Sequence, residues 1–292
     1  MRKSSYVEVR DTRLYIERIG EGYPIIILHG GFGFDMRFFD DCLDPLGEYF
    51  ELIYVDLRGQ GLSDEVSLET ITFDNMALDV VELAKVLGVK EYAVFGHSAG
   101  AMLVLQLIVN HPGSASHIIT MNGLPNFEGR NKFIEKVIED FKDGEIKTKY
   151  FKGMQIVGEV YEEYQTDKEK AQKKFKKAYH EMASMCCLKS TEEVLIKFKQ
   201  CIDNSIINLD VVYQVNGKIF AQFDVESQLK NVKEPVLIIT GELENNCDPK
   251  RSIDMHNLLP NSELHLMKDV GHFLFIQKPK ELINIIYDFM KK

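Results

Sequence analysis

The strongest constraint on this chain is a rhythm in which short apolar runs alternate with longer amphipathic stretches. Pro24-Ile25-Ile26-Ile27-Leu28 has no polar member, as expected of a strand covered on both faces. Leu52-Ile53-Tyr54-Val55, Tyr92-Ala93-Val94-Phe95 and His117-Ile118-Ile119-Thr120-Met121 repeat the pattern. Between them, Phe38 to Phe50 reads as helical. Phe73 to Leu87 carries apolar residues at Met76, Val80, Val81, Leu83, Ala84 and Leu87, a helical period with a polar reverse face. Ala99 to Asn110 is apolar nearly all round and predicts a buried helix stopped by Pro112. Ahead of these, Tyr6-Val7-Glu8-Val9 and Leu14-Tyr15-Ile16-Glu17 suggest a hairpin turning at Asp11-Thr12. Such alternation predicts a parallel sheet with helices on both faces.

The rhythm stops at about Pro125 and resumes after Val225. The intervening sequence is charged and helical. In Lys168 to Met185, Ala171, Phe175, Ala178 and Met182 form one stripe, with Lys173, Lys174, Lys176 and Lys177 off it on a solvated face. Beyond the break come strand Val236-Leu237-Ile238-Ile239, a helix after Pro249, strand Glu263-Leu264-His265-Leu266 and a terminal helix from Pro279. We therefore expect one α/β core, residues 1–124 and 226–292, interrupted by a helical insertion at 125–225.

The formal net charge of −10 argues against nucleic acid and anionic membranes as partners. Five cysteines without a C-x-x-C spacing fit a reducing compartment and neither zinc nor a disulfide framework. The longest apolar run, Ala99 to Val109, falls short of the roughly 20 residues of a membrane span. The N-terminal residues turn acidic where a signal peptide needs apolar ones. These features predict a cytoplasmic protein, and no metal or cofactor is expected. A homodimer stays open.

Two glycine-rich segments follow buried strands. In Gly96-His97-Ser98-Ala99-Gly100 a strand turns directly into a helix. The glycines relieve crowding there, and the serine hydroxyl is left exposed above the sheet edge. The helix start behind it favours developing negative charge. His29-Gly30-Gly31-Phe32-Gly33 can present backbone N–H groups to an oxyanion. The expected donors are Gly31 and Ala99, with Phe32 the alternative to Gly31. His29 is read as a support for its loop and His97 as a neighbour of the site. Asp248 before Pro249 reads as a helix N-cap and first helical residue. Cys247 is expected to pack.

His29-Gly30-Gly31, Asp56-Leu57-Arg58-Gly59-Gln60-Gly61-Leu62-Ser63, Gly96-His97-Ser98-Ala99-Gly100 and Gly271-His272-Phe273 occur in this order. Together they resemble the capped α/β-hydrolase superfamily over essentially the whole core. The resemblance implies a mostly parallel eight-stranded sheet and a helical cap after the sixth strand. It also implies a triad in the order serine, acid, histidine, with Ser98 as nucleophile and His272 as general base. The family's acid follows the glycine ending the seventh strand by three residues. That glycine is Gly241, which points to Glu244, with Asp248 the alternative. Asp56 and Arg58 match a segment concerned with loop architecture.

A serine nucleophile disfavours the related epoxide hydrolases and haloalkane dehalogenases, which use aspartate. Acyl transfer to water remains, with Phe32, Phe34, Met36, Met102 and Met121 as candidate pocket residues. The leading expectation is a carboxylic ester hydrolase for small or medium substrates. A proline iminopeptidase-like enzyme is second, with Glu159, Glu162 and Glu163 available to a substrate ammonium. Phe32 stands where that branch usually has proline. A non-catalytic ligand receptor is third, and Ser98 with His272 argues against it.

Overall fold

The first strands pair across a two-residue turn. β1 (Lys3–Val9) and β2 (Thr12–Ile19) are antiparallel, with Val9 opposite Thr12. Arg10 takes the left-handed conformation, φ 55°, that lets so short a connection close. The structure, a computed structural model, describes residues 2–292. The chain continues through β3 (Tyr23–Leu28), β4 (Phe50–Val55), α1 (Phe73–Val86), β5 (Ala93–His97), α2 (Ala99–Asn110) and β6 (His117–Met121). Helices α3 (Arg130–Asp140), α4 (Gly144–Tyr164), α5 (Lys168–Cys186), α6 (Glu192–Asn204) and α7 (Asn216–Gln222) follow without a strand. The alternation then returns as β7 (Val236–Gly241), α8 (Pro249–Leu258), β8 (Ser262–Met267), α9 (Leu274–Gln277) and α10 (Pro279–Met290).

The strands form one sheet in the order β1-β2-β4-β3-β5-β6-β7-β8. β2 runs antiparallel to both its neighbours, and every pair from β4 to β8 is parallel. Each apolar run feeds two cores because successive side chains point to opposite faces. In β3, Ile26 and Leu28 join Val80 of α1 and Leu103 of α2 on one face. Ile25 and Ile27 join Leu282 and Ile286 of α10 on the other. β7 divides likewise, Val236 and Ile238 against Leu237 and Ile239. This is the mostly parallel, doubly covered sheet that the rhythm predicted.

One expected helix is absent. Residues 38–50 form two short 3₁₀ turns, Met36–Phe39 and Asp44–Glu48, and Phe50 already belongs to β4. Asp40 at φ 49° breaks the first turn, and Pro45 sits in the first turn of the second. Phe38, Phe39, Leu43 and Leu46 are nonetheless buried. Their spacing reflects packing on the sheet, which mimics a helical period.

The helices between β6 and β7 leave and re-enter the core at one neck, where Asn126 bridges Asp224 and the Val225 N–H donates to the Pro125 carbonyl at 2.9 Å. α4 packs along α5, whose Ala171, Phe175, Ala178 and Met182 are buried. A second tether holds these helices to the core loops. The Asn208 N–H donates to the Gly33 carbonyl at 2.6 Å, and the Asn216 amide donates to the Phe32 carbonyl at 2.9 Å. The Ile206 N–H donates to the Asp35 carboxylate at 2.9 Å.

Asp35 and Asp56 share Arg37 in this tether. Asp56 also accepts the N–H groups of Met36 (3.0 Å) and Leu62 (2.8 Å), so it organises the loop after β4. Arg58 is buried on Asp79 of α1, with Nε–O 2.7 Å, and reaches Asp11 of the β1–β2 turn.

Burial, and next the Asp56 charge, push the Asp35 carboxyl up to about 7 against the pull of Arg37. Aspartates of the unfolded chain titrate near about 4. The folded state therefore holds this proton more tightly. Its stabilising effect is complete below the unfolded value and is lost as pH rises through about 7. Urea unfolding between these pH values should show stability falling more steeply in the wild type than in Asp35→Asn. Parallel pH profiles for the two proteins would contradict this account.

Candidate active site

β5 passes into α2 at a single residue, Ser98, with φ 53° and ψ −116°. A non-glycine residue held there costs about 1–3 kcal/mol and needs its surroundings to enforce it. The Ser98 N–H donates to the Met121 carbonyl at 2.8 Å, anchoring the turn to β6. The flanking glycines allow the close approach that the turn demands. A Cβ on Gly100 would lie 2.6 Å from the His29 carbonyl oxygen, and one on Gly96 would lie 2.6 Å from the Ala101 nitrogen.

The hydroxyl so presented lies 3.0 Å from His272 Nε2. His272 Nδ1 lies 2.9 and 2.8 Å from the two carboxylate oxygens of Glu244. With Nδ1–H donating to the carboxylate, Nε2 is the free acceptor for the serine proton. Glu244 Oε1 also accepts the N–H groups of Asn246 at 2.6 Å and Cys247 at 3.1 Å. The carboxylate is thus fixed from both sides in a buried position. Asp248 makes no part of this chain. It caps α8, accepting the Lys250 N–H at 2.9 Å.

Two residues that the sequence did not single out hold the histidine loop. Asn122, at φ 52°, donates to the His272 carbonyl at 2.9 Å and accepts the Gly241 N–H at 3.2 Å. Gln277 accepts the Gly271 N–H at 2.9 Å. An asparagine directly after a buried strand was the available signal for the first. The second had none.

His29 is buried and lowered to about 4, chiefly by desolvation, so it is neutral. Its Nε2 accepts the Leu57 N–H and its Nδ1 donates to the Gly30 carbonyl, both at 3.3 Å. These bonds join the glycine-rich loop to the loop after β4. His97 is held neutral by burial first and by His272 next, and its Nε2 donates to the His272 carbonyl at 2.9 Å.

Ser98 and His272 open onto a cavity of about 200 Å³. Gly31 and Ala99 border it beside the serine. The Ala99 N–H belongs to the first turn of α2, where no intrahelical acceptor exists. Phe34, Phe38, Met102, Phe127, Tyr179 and Phe273 make most of the apolar wall. Of the five residues expected to line the pocket, Phe34 and Met102 do so. Phe32 turns away and stacks on Phe220 at 5.5 Å, inside one core. Met36 is buried in the opposite core, and Met121 is the last, fully buried residue of β6.

Glu159, Glu162 and Glu163 do not border the cavity either. Glu159 pairs with Lys174 at 3.0 Å, and Glu163 with Lys170 and Lys174. Among the described residues, the one permanently charged side chain lining the cavity is instead Arg130. Cys186 and Cys247 also border it. Burial, and next the Glu244 charge, raise both thiols, Cys186 to about 12, so both stay protonated. Among the described residues no group of three potential metal ligands occurs, and no helix is long and apolar enough to cross a membrane.

The sequence profile of the alpha/beta hydrolase fold matches residues 23–279, and the chain belongs to this family of hydrolases. A pimeloyl-(acyl-carrier protein) methyl ester esterase of Photobacterium profundum is 21% identical, covering 96% of this chain and 99% of the relative. A proline iminopeptidase of Pestalotiopsis fici is 22% identical, covering 98% and 99%. Among solved structures, an esterase from Exiguobacterium antarcticum superposes with a TM-score of 0.76 at 20% identity, covering 99% of this chain and all (100%) of that one.

The cap geometry of Asp248 sets a stability test. Asp248→Ala should cost about 1 kcal/mol in urea unfolding, while Asp248→Asn should be nearly neutral, because asparagine caps as well as aspartate. Equal losses for the two variants would contradict a capping role.

Proposed function

We propose that this hydrolase cleaves small carboxylic esters through an acyl-enzyme intermediate. The observation that carries the reading is the series Ser98 Oγ, His272 Nε2, His272 Nδ1 and Glu244, linked at 3.0 and 2.8 Å and opening on a small apolar cavity. The Ser98 oxygen attacks the ester carbonyl carbon as its proton passes to His272 Nε2. The carbonyl π electrons move to oxygen, and the N–H groups of Gly31 and Ala99 receive that charge. Collapse re-forms the carbonyl and expels the alkoxide, which takes the proton from His272. Water then attacks the acyl-enzyme, giving its proton to His272. The acid leaves as Ser98 recovers that proton. Glu244 keeps the imidazole in the productive tautomer and offsets its transient positive charge. Phe32 is set aside as an oxyanion donor because Gly31 borders the cavity and Phe32 does not.

The charge of the lining favours a small ester over an aminoacyl amide. The cavity of about 200 Å³ suits a compact acyl group. Among the described residues no carboxylate borders the cavity to receive a substrate ammonium, and Arg130 would repel one. The helices of residues 125–225 supply Arg130, Tyr179, Cys186 and Phe220 to the cavity, and we assign them the role of a cap over the substrate. Full-length named relatives include an esterase and an iminopeptidase, and the lining of the pocket supports the ester reading.

Assays on p-nitrophenyl acetate and butyrate beside proline p-nitroanilide test the choice. Ester turnover should dominate, and faster release from the anilide would contradict it. Ser98→Ala should lose on the order of 10⁴-fold in kcat or more. Glu244→Gln should lose about 10³- to 10⁴-fold in kcat with its fold retained, and Asp248→Asn should stay near wild type. The reverse pattern for the two acidic positions would make Asp248 the orienting acid.

A further inference from the structure

Arg130 differs from every other arginine of the chain. Arg2, Arg10, Arg13, Arg18, Arg37, Arg58 and Arg251 each form an ion pair with a carboxylate. Arg130, the remaining arginine of the sequence, has no carboxylate partner among the described residues. It is half-buried on the wall of the cavity onto which Ser98 opens. In a chain of net charge −10, carboxylates are abundant, so a cation kept free of them at this wall is a specific arrangement.

Its position is also held. Arg130 Nη2 donates to Asn246 Oδ1 at 2.6 Å, and the guanidinium lies over the Phe127 ring at 4.9 Å. Asn246 is itself fixed, since its N–H donates to Glu244 at 2.6 Å. Among the described residues Arg130 Nη1 and Nε have no hydrogen-bond partner, so donors remain for a ligand. A planar guanidinium with free donors, steadied by an aromatic face and an amide, suits a carboxylate that it can bind through two parallel hydrogen bonds.

We propose that Arg130 binds a carboxylate carried by the substrate, so that the preferred substrates are half-esters of short dicarboxylic acids. The proposal rests on the ester-hydrolase reading and narrows it. Ser98 attacks the ester end while Arg130 holds the acid end. Both line the same cavity of about 200 Å³, which limits the spacer between the two ends to a short chain. The apolar residues of the same wall, Phe34, Met102 and Phe127 among them, suit methylenes.

The test compares monomethyl glutarate with methyl valerate, a neutral ester of similar length, by methanol release. In the wild type, kcat/KM should favour the half-ester. In Arg130→Gln the ratio of the two kcat/KM values should fall about ten- to a hundredfold, as expected for loss of a charged hydrogen-bonded contact. The fall should appear mainly in KM for the half-ester. Arg130→Lys should give an intermediate ratio, keeping the charge without the fork. A ratio unchanged by Arg130→Gln, or no preference in the wild type, overturns the proposal. Calorimetric binding of glutarate to the wild type and to Arg130→Gln separates this idea from its foundation. If glutarate binds the wild type and not the variant while neither ester is hydrolysed, the anion site stands and the ester reading falls. If glutarate does not bind the wild type, the anion site falls.

Discussion

At Ser98 a parallel strand must become a helix within one residue, and much of the site follows from how that is tolerated. The serine has a positive φ that its side chain disfavours. Three contacts make it possible. β6 offers the Met121 carbonyl to the Ser98 N–H, and glycines at 96 and 100 let the backbone of β5, α2 and the His29 loop approach closely. The same crowding brings the glycine-rich loop after β3 beside the start of α2. The hydroxyl therefore emerges where Gly31 and Ala99 border the cavity. The strain and the site's geometry are two consequences of one junction.

The remaining parts come from the ends of neighbouring strands, as an open parallel sheet encourages. The loop after β7 brings Glu244, the loop after β8 brings His272, and Asn122 at the end of β6 ties both together. Two neutral histidines do quiet work around them. His29 bridges loops, and His97 supports the His272 backbone. Burial keeps both uncharged at neutral pH. Neutralisation of this kind is inexpensive for imidazole, whose ordinary pKa is already near about 6.5.

Much of the core was legible because burial on both faces leaves a plain mark. The runs at Ile25–Leu28 and Val236–Ile239 are apolar throughout, since each residue meets one core or the other. The stretch from Phe38 to Phe50 has a helical period without a helix, because packing onto a sheet can mimic that period while Asp40 and Pro45 break the backbone. At the site, glycine spacing marked Ser98, and the family likeness pointed to His272. Glu244 and Asp248 share one short loop, and no sequence pattern separates a histidine-facing glutamate from a capping aspartate. The pocket was the least legible part. Phe32, Met36 and Met121 sit on the right segments, but their side chains point into the cores. Arg130, Tyr179 and Phe220 come from the insertion, far away in sequence. No local pattern announces them.

The account stands or falls on whether the strained serine is the nucleophile. Incubation of the native protein with a fluorophosphonate, followed by proteolysis and mass spectrometry, reads this directly. The account predicts a single adduct on Ser98, formed far more slowly in His272→Ala because the hydroxyl then lacks its base. An adduct on another residue, no adduct at all, or labelling of Ser98 at the same rate without His272 would contradict it.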